Sequence, residues 1–159
     1  MNTKSTAQAS NPWHNFMPVG WREWVALPDL GITKIKAKVD TGARTSCLHA
    51  FKVQKFTKAG TGWVRFWVHP VQNDQDSVIV CETRVIDRRI VSDSGGHREM
   101  RYVIASHLML GAHTWPIELT LTNRDSMRFR MLLGRTAMAG RMIVIPDQSF
   151  LAGPPTCAS

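Results

Sequence analysis

Several features are scarce or missing in this chain, and each shortage removes a class of function. No run of roughly 18 apolar residues occurs, which excludes a membrane-spanning helix. Met1 to Ser10 are polar and carry no apolar core, so no secretory signal is expected there. Cys47, Cys81 and Cys157 are odd in number and far apart. They form neither a disulfide framework nor a zinc motif, which suits a reducing cytoplasm. His-Glu-x-x-His is missing, and the six histidines show no pair four residues apart. His107 and His113 read as loop residues. Cys47 and His49 with Asp40 could hold zinc only by accident of the fold. A Gly-Lys-Ser/Thr phosphate loop is missing too, so ATP has no visible seat. No metal and no cofactor is therefore expected.

Acidic residues are also short: 12 Asp+Glu stand against 20 Lys+Arg, a net charge of +8. That excess attracts an anionic partner. Thirteen of the twenty basic residues are Arg, whose planar fork suits carboxylate or phosphate. Composition alone leaves an acidic peptide and nucleic acid both open.

At 159 residues and 43% hydrophobic content, the chain is long enough for one domain with a real core. Residues 1–19, with Pro12 and Pro18, read as a flexible tail in which Trp13 and Phe16 could dock on the body. Residues 148–159 read as a second tail of Pro, Gly and Ser type. Between them, 20–147 is rich in short β signals. Ile35, Ala37 and Val39 alternate with Lys34, Lys36 and Lys38, a period of two that places the lysines in solvent. Strands are also predicted at Arg22 to Leu27, Leu48 to Phe56, Trp63 to His69, Val78 to Val85, Trp115 to Leu121, Phe129 to Leu133 and Met142 to Ile145. Arg88 to Val91 and Arg101 to Ile104 flank a Gly95-Gly96 tip, a hairpin pattern. Only Thr136 to Ala139 allows a helical turn. Many short strands and almost no helix predict an all-β closed barrel.

Asp40-Thr41-Gly42 follows the Ile32 to Val39 strand. Gly42 lets the backbone fold tightly, and a carboxylate so fixed suits a general base. The same triplet is also an ordinary turn. Downstream, Met131-Leu132-Leu133-Gly134-Arg135-Thr136 runs from an apolar strand through Gly-Arg into a helix-compatible segment. The two stretches together resemble the retropepsin-like aspartic peptidases. Val39 to Ala50, with Arg98 to Ile104 and Leu132 to Arg135, is most similar to the bacterial family labelled ATP-dependent zinc proteases. That family is retropepsin-like despite its label.

The resemblance covers about residues 20–147. It implies a closed barrel of six to eight strands, a flap hairpin over the site and one short C-terminal helix. It implies catalysis by Asp40, braced by Thr41 and Gly42. Substrate would meet Ala43, Arg44, Gly134 and Arg135 from the loops, and Ser94, Gly95, Gly96, Arg98 and Arg101 from the hairpin. Aspartate-catalysed hydrolysis uses two carboxylates sharing one proton. This chain has one Asp-Thr-Gly, so the retropepsin solution is a homodimer with one Asp40 from each protomer. The expected partner is a peptide, with the Arg excess favouring an acidic one, in the cytoplasm. A barrel without catalysis that holds an anionic peptide or nucleic acid is the alternative.

Overall fold

The computed structural model describes residues 13–92, 95–123 and 128–155. Its strands are β1 (Met17–Val19), β2 (Arg22–Leu27), β3 (Ile32–Val39), β4 (Ser46–Ala50), β5 (Lys52–Lys58), β6 (Thr61–Val68), β7 (Ile79–Arg84), β8 (Asp87–Ser92), β9 (Arg98–Leu110), β10 (His113–Asn123), β11 (Met131–Leu133) and β12 (Met142–Val144). One short helix, α1 (Arg135–Met138), follows β11, and a single 3-10 turn at Pro28–Leu30 joins β2 to β3. No helix among the described residues is long and apolar enough to cross a membrane.

Six strands close into a barrel in the order β10–β4–β11–β3–β2–β9, and β9 pairs back onto β10 to complete the ring. β8 adds to β9 outside it. Closure leaves the ring without an open edge. The β3 alternation decides which side faces in: Ile32, Ile35 and Ala37 are fully buried, whereas Lys34 and Lys38 are exposed. Leu48, Ile104, Leu119, Met131 and Leu133 meet them in the same core. A smaller sheet, β5–β6–β7, packs beside the barrel and adds Val64, Phe66, Val68 and Cys81 to that core. Its β5–β6 hairpin turns on Ala59 and Gly60, both at positive φ, the turn form that matches strand twist.

The all-β barrel with a hairpin and one short helix is as the sequence predicts, with six strands in the ring. Three details differ. Leu48 to Phe56 is not one strand: Phe51 separates β4, in the barrel, from β5, in the small sheet. β9 continues to Leu110, and His107 and His113 sit in β9 and β10 rather than in a loop. Ala105, Ser106 and His107 have little strand propensity, but each pairs with β10, so tertiary pairing overrides it.

The fold also extends past 20–147. β1 pairs in parallel with β12, and Trp13 packs edge-on against Phe16. At the other end, Leu151 and Ala152 donate their backbone N–H groups to Glu23, which also accepts from Gly20. Glu23 is fully buried, and three amide donors satisfy its carboxylate. Phe150 stacks on Trp24 at 5.7 Å. The segment read as a C-terminal tail is therefore packed as far as residue 155.

Candidate active site

The site forms because β11 inserts between the two strands that flank the Asp40 loop. β3 enters that loop and β4 leaves it, yet they do not pair with each other. β11 runs parallel to β3, with Leu133 opposite Val39, and antiparallel to β4, with Leu132 opposite Cys47. The distant Gly134 stretch is thereby laid against the Asp40 loop.

Backbone hydrogen bonds lock the two together. The Asp40 N–H donates to the Leu133 carbonyl at 2.9 Å. The Arg135 and Thr136 N–H groups donate to the Ala43 and Arg44 carbonyls at 2.8 and 2.9 Å. The Arg135 guanidinium adds a bond from Nη1 to the Thr41 carbonyl at 2.9 Å. Beneath them, the buried Ser46 hydroxyl accepts the Gly134 N–H at 3.0 Å. Gly134 must be glycine, because a β-carbon there would lie 2.6 Å from the Thr45 carbonyl carbon.

Within the loop, the Gly42 N–H donates to Asp40 Oδ1 at 3.0 Å, and the Ala43 N–H to the Asp40 carbonyl at 3.2 Å. The half-buried carboxylate is thus fixed in direction by a backbone donor. A β-carbon on Gly42 would stand 3.2 Å from that same Oδ1, so a side chain there would crowd the carboxylate. An oriented, accessible carboxylate on a rigid base can take a proton from water or hold a hydrogen bond to a carbonyl.

Asp40, Thr41, Gly42, Ala43, Arg44, Gly134 and Arg135 therefore converge. The Arg44 side chain is exposed. One Arg135 N–H is committed to the loop, so this residue braces the site as well as flanking it. Gly95 and Gly96 form the exposed hairpin tip, with Gly96 at φ 84°, and Arg98 begins β9 beside them. Ser94 lies outside the described residues. Arg101 turns inward: its side chain is 11% exposed, with Nε 3.6 Å from Glu99 and Nη1 3.6 Å from Cys47 Sγ. It ties the base of the hairpin to the strand that leaves the Asp40 loop. Glu99 also accepts from Thr122 on β10 at 3.3 Å.

Sequence reasoning missed two positioning groups. Ser46 was visible only as a hydroxyl at the end of the motif, and its partner Gly134 is distant in the chain. The Arg101–Glu99–Cys47 contact depends on strand pairing that no local pattern encodes.

The zinc in the label of the resembling family does not fit these residues. Among the described residues, no group of three or more His, Cys, Asp or Glu side chains could hold a metal ion. Cys47 instead faces the Arg101 cation, which opposes a second positive charge there.

A family model described as retropepsin-like aspartic endopeptidase RimB matches residues 18–155. Two curated relatives, from Shewanella halifaxensis and Parasynechococcus marenigrum, are each 53% identical over 135 residues and each named probable alpha-L-glutamate ligase. The match covers 85% of this chain but only 30% and 29% of those proteins, so the chain spans about a third of their length or less. Among solved structures, a Legionella pneumophila protein of unknown function superposes with a TM-score of 0.70 at 26% identity, covering 86% of this chain and 98% of that one. With a family match over nearly all of the described fold and the Asp40 loop locked as above, this chain belongs to the RimB-like family of retropepsin-like aspartic endopeptidases.

Proposed function

We propose that this chain hydrolyses peptide bonds in acidic, glutamate-rich peptides, with Asp40 as the acid/base. The observation that carries the reading is the Asp40 carboxylate, oriented by the Gly42 N–H on a loop clamped by the Gly134 stretch. Hydrolysis needs a second carboxylate. A two-fold pair of chains supplies it, each giving one Asp40 at the axis. The two carboxylates then share one proton. The ionised one takes a proton from the attacking water, and the protonated one donates to the scissile carbonyl. The tetrahedral intermediate collapses as the leaving nitrogen is protonated, freeing an amine and a carboxylic acid.

Two observations support an acidic substrate. The chain carries a net charge of +8, and Arg44, Arg98 and Arg135 flank the loops and hairpin. The curated relatives, named as glutamate ligases, contain this domain within a longer protein. A peptidase acting on glutamate-rich peptides is a chemically matched companion to a ligase of glutamate. The test is a panel of glutamate-rich, neutral and lysine-rich peptides, with products identified by mass spectrometry. Preferential cleavage of the glutamate-rich peptide supports the reading. Arg44→Ala should lower kcat/KM for that peptide by roughly tenfold to a hundredfold, the loss of one charge-assisted bond, and change little for the neutral one. Equal cleavage of all three removes the acidic selectivity. Salt-sensitive binding of nucleic acid with no cleavage favours the non-catalytic barrel instead.

A further inference from the structure

Away from the Asp40 loop, the outer face of β2 and β3 forms one wall of a groove of about 790 Å³, whose other wall is the segment from Pro70 to Ile79. Trp24, Lys34 and Lys36 line the first wall, and Val71 and Val78, 48% and 44% exposed, line the second. The Lys34 and Lys36 ammonium groups lie 4.2 and 5.1 Å from the Trp24 ring centroid. Lys36 also donates to Gln72 at 3.0 Å, and Gln72 donates to the Arg128 carbonyl at 2.9 Å, so the two walls are tied together.

We infer that this groove is a second binding site for the acidic substrate, in which Lys34 and Lys36 hold carboxylates of a segment remote from the scissile bond. The inference rests on the acidic-peptide reading above.

Charge and position both point there. Lys34, Lys36 and Lys38 alternate along the outer side of β3, and Arg22 lies opposite Lys38 on β2. Of these, Lys34 and Lys36 belong to the groove lining, where Asp76 is the one acidic group among the lining residues. The nearby Asp74 carboxylate is turned back onto the Asp76 and Ser77 N–H groups and the Ser77 hydroxyl. β3 is also the strand that delivers Asp40. Lys34 and Asp40 are six positions apart, about 20 Å of extended chain. A peptide gripped in the groove thus needs roughly six extended residues to reach the carboxylate. The exposed valines suit the methylene stems of glutamate side chains. A nucleobase fits less well, because the Trp24 ring is already engaged by Phe150 and by both ammonium groups. Base binding of single strands relies on available aromatic faces.

The experiment uses the full chain, its Asp40→Asn form and a Lys34→Gln/Lys36→Gln variant, which keeps polar side chains at the exposed Lys34 and half-buried Lys36 positions. The probes are a long peptide with a glutamate tract about six residues from the cleaved bond, and a short peptide without the tract. The lysine variant should raise KM for the long peptide about tenfold, with kcat unchanged and the short peptide unaffected. The labelled tract should also bind Asp40→Asn, with affinity that falls in the lysine variant and with added salt. Unchanged KM and unchanged tract binding in the lysine variant would overturn the groove assignment, while continued cleavage would leave the peptidase reading intact. Lysine-dependent tract binding without hydrolysis of either peptide would sink the peptidase reading and keep the groove. If a single-stranded oligonucleotide binds through Lys34 and Lys36 and the tract does not, the groove serves nucleic acid and the inference is wrong.

Discussion

Gly134 and Thr45 meet backbone to backbone, so closely that a β-carbon on Gly134 would lie 2.6 Å from the Thr45 carbonyl carbon and 2.8 Å from its oxygen. The contact holds the two halves of the site together, and neither half can shift without the other. Gly134→Ala should therefore destabilise the chain by about 1–3 kcal/mol or more, because backbone rather than a flexible side chain must give way. Ser46→Ala leaves the buried Gly134 N–H without its hydroxyl partner and should cost about 1–3 kcal/mol. Urea unfolding measures both, and wild-type stability in either variant would contradict the clamp.

What could be read from the sequence followed local pattern. Ile35, Ala37 and Val39 against three lysines fixed the faces of β3, and Asp40-Thr41-Gly42 with Leu133-Gly134-Arg135 marked the two halves of the site. What escaped depends on contacts between distant residues. The inward position of Glu23 on β2 would read as solvent-facing, because the Leu151 and Ala152 N–H groups that compensate it lie 128 and 129 residues away. The Pro- and Gly-containing end read as a tail for the same reason. The position of β11 between β3 and β4 is a property of topology, and no periodicity within three residues can announce it.

Glu23 gives the second prediction. Three backbone N–H groups converge on its buried carboxylate. Glu23→Ala should cost about 2–4 kcal/mol, since several buried donors lose their acceptor at once. The loss should appear first as faster amide exchange in residues 148–155, followed by mass spectrometry. Protection there equal to wild type would show that the carboxylate does not hold this end.

The hairpin tip supplies the third. Gly96 sits at φ 84°, with nothing within 4 Å of where a β-carbon would be. Gly96→Val meets no clash and is strained by its backbone alone, at about 1–2 kcal/mol. If the hairpin closes over substrate, turnover should fall well beyond what this stability loss explains. Normal turnover would show that the hairpin is no lid.

A fourth prediction concerns pH. Burial pushes the Cys81 thiol up to about 12 from an ordinary 9.0, and its Sγ donates to the Leu30 carbonyl at 3.3 Å. The unfolded chain gives up this proton first as pH rises. Cys81 therefore lowers stability progressively between pH 9.0 and about 12, and contributes no pH dependence well below that window. Cys81→Ala should flatten the alkaline decline in unfolding free energy. In the native protein near pH 8, Cys81 should resist alkylation, because both burial and the neutral thiol protect it.

The most direct test is hydrolysis by purified Asp40→Asn beside wild type, on a glutamate-rich peptide, with thermal unfolding measured on both. The substitution keeps size and leaves an oxygen to accept the Gly42 N–H, so the melting temperature should stay close to wild type. Cleavage should fall by about 10²–10⁴-fold or more, the share that a positioned acid/base supplies. A folded Asp40→Asn protein that cleaves at the wild-type rate would contradict the aspartic mechanism.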